Sequence, residues 1–267
     1  ANIFSSLKHS PDMDEDFVRH LVLNTYRMFR TQFSKEYGEI IICDDTGNCW
    51  RKDFFPHYKA SRKKQQKKSD IDFDRVYEIM NVIRQEVRSE LPYINLQVPR
   101  LEADDIIAIL CKKYHANEKI LIVSNDKDFQ QLQRYENVSQ YSPMQKKFVE
   151  CSDPQHFLLE HIIKGDVSDG IPNVLSDSDT FVVDGKRQKP CGAKKIQSMI
   201  GEDHGSSEWS ENFKRNQILI DMTKIPDRFE DFVIDQYENY EVPDRKGLLN
   251  YFVRSKLSNL MSNIGDF

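Results

Sequence analysis

Apolar positions recur at helical spacing from Asp14 to about Phe33, at Phe17, Val18, Leu21, Val22, Tyr26, Phe29 and Phe33, and Gly38 follows as a stop signal. The next run, EIIICDD at 39–45, is apolar and β-branched, which predicts a buried strand. Residues 71–90 again read as a helix. YINLQV (93–98) alternates and runs into Pro99, which predicts a second strand. LEADDIIAILCKKYH (101–115) predicts a helix, KILIVS (119–124) a buried strand, DKDFQQLQRY (126–135) a helix start, and NVSQYS (137–142) another strand. Strands alternating with helices imply an α/β domain with a central, largely parallel sheet flanked by helices. Past about Pro154 the strand pattern fades. Helical segments at 154–164, 192–200, 207–222 and 246–263 dominate, joined by GDVSDGIPN and a polar insert at 175–190. A boundary near residue 152 therefore divides an α/β domain, 1–152, from a helical region, 153–267.

Composition narrows the function classes. No apolar run approaches the roughly 20 residues of a membrane span, and no basic stretch followed by an apolar one marks a signal peptide. The five cysteines, Cys43, Cys49, Cys111, Cys151 and Cys191, have no zinc-type spacing and read as reduced thiols of a cytoplasmic protein. Net charge is −5, which taken alone argues against nucleic acid. Its distribution reverses that reading. Residues 51–68 carry eight Lys/Arg and a single acid, Asp53, while the other acids fall in short, spaced groups. One part suits phosphate and the other suits cations.

Each acidic group follows a predicted strand or opens a helix: Asp44 and Asp45; Glu102, Asp104 and Asp105; Asp126 and Asp128; Asp166 and Asp169. In open α/β sheets the functional crevice lies beyond the carboxyl ends of the strands, so acids remote in sequence can meet there. Like charges at ~4 Å repel by several kcal/mol at intermediate dielectric. A divalent cation removes that penalty, and hard carboxylate oxygens without His or Cys favour Mg²⁺ or Mn²⁺ over zinc. Two such ions can activate a water and stabilise the leaving oxygen of a phosphodiester. Taken singly, Glu102, Asp104 and Asp126 serve equally well as helix-capping acids, GDVSDG reads as an ordinary turn, and Asp44 reads as a solvated neighbour of Asp45. The recurrence of all four groups carries the metal reading.

The segments CDD (43–45), WRKDF (50–54), YKASR (58–62), LEADDIIA (101–108), KILIVSNDKDFQQL (119–132), YSPMQKKFV (141–149), IIKGDVSDGIPN (162–173) and YFVRSKLSNL (251–260), in this order, resemble the 5′-nuclease, or flap endonuclease, family. Within it they are most like the ribonuclease H branch of T-even-type bacteriophages. The resemblance runs almost end to end. It implies a PIN-like α/β fold and a Mg²⁺-dependent 5′–3′ exonuclease or flap endonuclease. Its expected substrates are RNA in RNA–DNA hybrids, DNA and flaps, and its expected role is primer removal during phage DNA replication. By the same resemblance, Asp45, Glu102, Asp104 and Asp126 lie at a first metal site. Asp128, Asp166 and Asp169 serve a second, with Asp105 alongside, and Mn²⁺ substitutes for Mg²⁺. Residues 51–68 match a helical arch over the 5′ strand. There Arg51 and Lys59 neutralise the scissile phosphate, Tyr58 stacks on a base, and Lys52, Arg62 and Lys63 contact nucleic acid. Region 154–200 matches a helix–turn–helix-type element that holds the duplex, with Lys194 and Lys195 on phosphate and a monovalent cation nearby. Expected partners are DNA, RNA–DNA hybrids, a phage single-strand-binding protein and a sliding clamp. The protein is expected to be a monomer in the cytoplasm of the infected host.

Two departures stand out. The family opens on a strand ending in an aspartate ligand, whereas ANIFSS at 1–6 looks like the residues just after it, and no strand precedes Asp12 or Asp14. Either the true N-terminus is absent from this sequence or one ligand is missing, and a chain lacking that ligand would be a non-catalytic, structure-specific DNA-binding protein, which is the alternative reading. Second, residues 175–190 intervene before CGAKK, where the family's glycine turn follows GIP closely. Aromatics among the basic residues (Phe54, Phe55, His57 and Tyr58) suit single-stranded nucleic acid, and Pro56 with a weak apolar pattern predicts a segment poorly ordered without substrate. Trp50 and Trp209 read as packing residues, and none of the seven histidines is given a catalytic role.

Overall fold

The first helix among the described residues, α1 (Glu15–Tyr37), starts where Asp14 accepts a hydrogen bond from Asp16 N at 3.0 Å and ends at Gly38 with φ 81°. Asp14 is thus a cap. The structure is a computed structural model and describes residues 14–66 and 72–267. The expectation about residues 1–13, and Lys67 and Lys68 of the basic segment, lie outside the described residues, as does the side chain of Lys63.

The chain continues through β1 (Ile41–Cys43), α2 (Arg51–Phe54), α3 (Ala60–Gln66), α4 (Phe73–Glu90), β2 (Ile94–Leu96), α5 (Ala103–Tyr114) and β3 (Ile120–Val123). A 3₁₀ helix (Lys127–Arg134), β4 (Val138–Ser142) and β5 (Lys147–Val149) follow. The remaining α-helices among the described residues are α6 (Pro154–Lys164), α7 (Ala193–Ile200), α8 (Ser210–Ile220), α9 (Glu230–Glu238), α10 (Leu248–Arg254) and α11 (Ser258–Met261). The insert at 175–190 carries no helix or strand.

Both pairs the sequence implied are parallel. Ile41, Ile42 and Cys43 stand opposite Ile94, Asn95 and Leu96, and Ile120 to Val123 stand opposite Val138 to Tyr141. The α/β reading holds, with three refinements. Hydrogen bonding groups the strands as β1–β2 and β3–β4–β5. β5 is an antiparallel edge strand, reached by a turn in which Ser142 Oγ accepts from Gln145 N at 3.2 Å and Lys146 sits at φ 52°. The helix expected over 246–263 is broken at Lys256, also at φ 52°.

The described residues fall into two compact units. One comprises the described parts of 1–44, 70–97 and 234–267. Its core joins Val18, Val22 and Leu23 of α1 to Val76, Ile79 and Ile83 of α4 and to Tyr251, Phe252 and Phe267. Beside that core Arg19 is buried between Glu15, Asp16 and Glu86. Asp44 is likewise buried in this unit and pairs with Arg84 at 3.2 Å, so it is not the solvated neighbour of Asp45 that its position suggested. The other unit comprises the described parts of 45–69 and 98–233 and holds every expected site residue. In its core Phe55 and Tyr58 pack with Leu158, Ile162, Ile196 and Phe213. The expectation of a loose basic segment therefore fails over Trp50–Tyr58, where Trp50, Arg51, Phe55 and Tyr58 are all buried.

Candidate metal centre

Four loops bring the acids together in the second unit. After β1, Asp45 is exposed, and its Oδ1 accepts from Ala103 N at 2.7 Å, tying it to the start of α5. Helix α5 opens with a capping box: Glu102 is the N-cap, and Asp105 Oδ2 accepts from Glu102 N at 3.1 Å. After β3, Asp126 caps the 3₁₀ helix by accepting from Asp128 N at 2.9 Å. The side-chain amide of buried Gln140 holds the Asp126 carbonyl at 2.7 Å. After α6, Gly165 turns at φ 69°, and a Cβ there would lie 2.5 Å from the Ile171 carbonyl oxygen, so only glycine fits. The turn closes with two hydrogen bonds between Asp166 and Ile171, at 2.9 and 2.7 Å.

The carboxylates sort by environment. Burial raises Asp104 to about 7, and Asp126, Asp45 and Glu102 add to the rise. Asp45, Glu102 and Asp126 therefore all act on Asp104. Burial also raises Asp128 to about 6, with Asp126 and Asp166 adding to it. Burial would raise Asp166 as well, but hydrogen bonds from His161, Ser168 and Lys127 outweigh it and hold the carboxyl far below its ordinary range. Among the described residues, Asp128, His161 and Asp166 offer three ligand atoms within 4.8 Å of one another. His161 was given no role from the sequence. The available signal was its place in the last turn of α6, one glycine turn before Asp166.

Cations from the basic segment sit directly on this cluster. Lys59 Nζ lies 2.6 Å from Glu102 and 3.5 Å from Asp169. Burial would lower this ammonium, but Asp169 and Glu102 outweigh it and keep it charged. Lys59 itself holds φ 56°, anchored by its N–H to the Asp169 carbonyl at 2.8 Å, beside Gly170 at φ 73°. Arg62 pairs with Asp169, while Lys52 is exposed and reaches the Gly47 carbonyl.

Three expected roles change. Arg51 is 4 % exposed and pairs with Asp105 at 2.7 Å and Glu102 at 3.2 Å, so it is not a free phosphate contact. Asp105, fully buried, holds Arg51 and the Trp50 indole N–H (3.2 Å), so it is not a metal ligand beside the others. The Tyr58 ring lies in the core, and its hydroxyl donates to a carboxylate, with Glu102 and Asp169 both at 2.9 Å; that ring is not available to a base. Asp169, joined to Glu102 through Tyr58 and Lys59, stands with the first group more than with Asp128. Lys194 and Lys195 are exposed in the first turn of α7.

Residues 7–161 match the family model of the 5′–3′ exonuclease N-terminal resolvase-like domain, and residues 153–267 match that of the T4 RNase H C-terminal region. The chain is 33 % identical to ribonuclease H of Enterobacteria phage T4, over 98 % of this chain and 92 % of that protein. The chain belongs to the 5′–3′ exonuclease family.

A 5′–3′ exonuclease of Buchnera aphidicola is 30 % identical over 51 % of this chain and 47 % of its own length. Among solved structures, a bacteriophage T5 5′-exonuclease with bound zinc shares the fold at TM-score 0.61 and 19 % identity, covering 82 % of this chain and 91 % of that one. A T5 flap endonuclease in a pseudo-enzyme–product complex with DNA and metal ions matches at TM-score 0.54 and 17 % identity, covering 87 % and 89 %. For this 5′–3′ exonuclease family member, the donor chemistry fits divalent cations. Asp104 and Asp128 are half-buried carboxyls raised by burial and then by neighbouring acids, and the Asp128 Oδ1 atom has no hydrogen bond. A cation relieves both conditions. No helix among the described residues is long and apolar enough to cross a membrane.

Proposed function

We propose that this 5′ nuclease is Mg²⁺-dependent and hydrolyses phosphodiesters near the 5′ end of RNA in RNA–DNA hybrids and of DNA or flaps, removing primers during phage DNA replication in the host cytoplasm. The observation that carries the reading is the shared field of Asp45, Glu102, Asp104 and Asp126 beneath Lys59. Similarity to phage T4 ribonuclease H along nearly the whole chain supports the substrate class. Divalent cations held by these carboxylates and by Asp128 would supply an activated water and charge stabilisation at the leaving oxygen. Water adds across the phosphodiester, the P–O3′ bond breaks, and a 5′ phosphate and a 3′ hydroxyl remain. Lys59 is an arch cation that reaches Glu102 and Asp169, so a phosphate entering there meets a charge already in place.

Duplex contact falls to the α6–α7 region, a helix–turn–helix-type element in this reading, with a monovalent cation held nearby. A cavity of about 520 Å³ beside the Gly165–Ser168 turn is lined by Lys127, Lys164 and Lys189, which suits backbone phosphate, and exposed Lys194 and Lys195 extend that charge. The test is a 5′-labelled RNA–DNA hybrid and a flap DNA, each with Mg²⁺ and with Mn²⁺. Release of short 5′ products is expected. Tight binding without cleavage in either metal would overturn the reading in favour of a structure-specific DNA-binding protein.

The pH dependence of metal binding follows from the two raised carboxyls. At pH below about 6 both Asp104 and Asp128 hold protons that a cation must displace. Mg²⁺ affinity should therefore rise as pH passes through 6 to 7 and level off above about pH 8, by up to ~10-fold per pH unit for each proton released. Calorimetric titrations in buffers of different ionisation enthalpy measure both the affinity and the proton count. A flat profile between pH 6 and 8 would remove these two groups from the site.

A further inference from the structure

Residues 175–190, which separate GIPN from CGAKK, carry no helix or strand, yet side chains tie them down. Asn173 and Ser176, both buried, are the anchor. Asn173 Oδ1 accepts from Leu175 N at 3.1 Å and from Ser176 Oγ at 2.8 Å, which fixes the hydroxyl. Ser176 Oγ in turn accepts from Lys189 N at 2.9 Å, and Asn173 Nδ2 donates to the Lys189 carbonyl, also at 2.9 Å. Next to it, Gln188 Oε1 accepts from Asn173 N at 2.7 Å. Lys189 is thus held through both of its own main-chain polar groups, although its side chain is exposed.

Helix α8 supplies a second hold. Asn212, Arg215 and Asn216 share one of its faces. Asn212 Nδ2 donates to the Val174 carbonyl at 2.8 Å. Arg215 Nη1 donates to Ser178 Oγ at 2.9 Å, and its Nη2 to the Pro172 carbonyl at 3.0 Å. Arg215 is buried, and its acceptors (Ser178, Asn212, Asn216 and Pro172) are all neutral. A guanidinium buried without a hydrogen-bonded carboxylate recovers little of its desolvation cost through charge. What it does provide is geometry, since it ties the turn at Pro172 to the insert at Ser178.

The lysines of the insert divide by partner. Lys186 Nζ is spent on Asp177 at 2.8 Å and Asp179 at 2.5 Å, which closes the insert on itself. Lys189 forms no ion pair among the described residues, and neither does Lys164; with Lys127 they line the cavity beside the Gly165–Ser168 turn. Ammonium groups gathered on one cavity repel, and an anion entering it relieves that repulsion. A lysine whose Cα is already fixed also loses less freedom on meeting that anion.

We propose that the insert is a preformed clamp for one backbone phosphate of the duplex, with Lys189 as the phosphate-binding residue and Asn173, Ser176 and Arg215 as the positioning residues that hold it. The inference rests on reading the α6–α7 region as a duplex contact and names the residue by which the insert joins it. The contact carries no sequence preference, because an ammonium meets every backbone phosphate alike.

The test is binding of a blunt DNA duplex, and of one of its strands alone, followed by fluorescence anisotropy in Ca²⁺ over a range of salt concentrations. Lys189→Ala should weaken duplex binding roughly tenfold at low salt and reduce the log–log salt slope by about 1, with single-strand binding unchanged. Ser176→Ala keeps the ammonium and frees its main chain. It should weaken duplex binding by about threefold, keep the salt slope, and speed amide hydrogen exchange across 186–190. Arg215→Met should do the same, and Ser176→Ala carries the test if the arginine variant fails to fold. A Lys189→Ala slope equal to that of the wild type overturns the clamp, as does an equal loss on single-stranded DNA. A wild type that binds no duplex at all overturns the duplex reading of α6–α7 itself, a result distinct from a wild type that binds duplex with no help from Lys189.

Discussion

Asp104→Asn is expected to lower cleavage by about 10³-fold while stabilising the metal-free protein. The rate loss follows from removing one carboxylate of the first group. Metal-borne charge stabilisation is worth several kcal/mol in a transition state, and each 1.36 kcal/mol is tenfold in rate. The stability gain has the opposite origin. Burial and then Asp126 raise the Asp104 carboxyl to about 7, so in the folded, metal-free protein the ionised form is disfavoured. An acid raised on folding takes up protons on folding. The resulting destabilisation is absent below about pH 4, grows as pH climbs towards 7, and is fully present above it. An amide removes that pH-dependent part. In EDTA at pH 8 the thermal midpoint should rise by a few degrees, at ~2–4 °C per kcal/mol for a chain of this size, and at pH 4 the two proteins should match. Substrate binding in Ca²⁺ should persist. A variant that loses activity and also melts lower at pH 8 would mark Asp104 as a structural acid instead.

The same residues show how far the sequence could be read. Acids that cap helices and acids that gather at a site share one local signal, a carboxylate just past a strand, and the order of the four groups made the cluster legible. Sorting within it was not legible. Glu102 and Asp105 share a helix face, yet Asp105 is fully buried on Arg51 and Trp50 while Glu102 meets Lys59; the difference comes from residues some fifty positions upstream. His161 was invisible for a related reason. Its meaning depends on Asp128, which only the folded 3₁₀ turn brings to it. That turn itself departs from the expected α-helix: Phe129 and Leu132, three apart, are both buried, which suits three residues per turn. Helix α6, by contrast, is self-evident, since Asp153 caps it, Pro154 opens it and Gly165 ends it. The basic segment misled most. Charge read as exposure held for Lys52 and Arg62 and failed at Arg51, whose partners are the acids it was expected to serve alongside.

Arg51 yields the second large effect. Its guanidinium is held on every side: Nη1 donates to Asp105 Oδ2 at 2.9 Å, Nε donates to the Leu219 carbonyl at 2.9 Å, and the group lies 4.7 Å from the Trp50 ring centre. Burial would lower its pKa, but Asp105 outweighs that and keeps it firmly charged. Arg51→Ala leaves the fully buried Asp105 without its partner. Breaking a buried pair from one side costs about 3–5 kcal/mol, which for this chain is a fall of roughly 6–20 °C in thermal midpoint. Removing both partners should be milder than the sum of the single changes. A double-mutant cycle with Asp105→Ala should return a coupling of about 2–3 kcal/mol, although the Trp50 indole and Glu102 amide then lose an acceptor. Lys59→Met is the contrast. Lys59 serves the mouth of the cluster, so this change should lower the cleavage rate and move the midpoint by only a few degrees. Were Arg51 a phosphate ligand, the two variants would behave alike, with Arg51→Ala sparing the midpoint and weakening cleavage. Chemical denaturation of both variants in EDTA, where no substrate or metal contributes, separates an arginine that builds the floor of the site from a lysine that works above it.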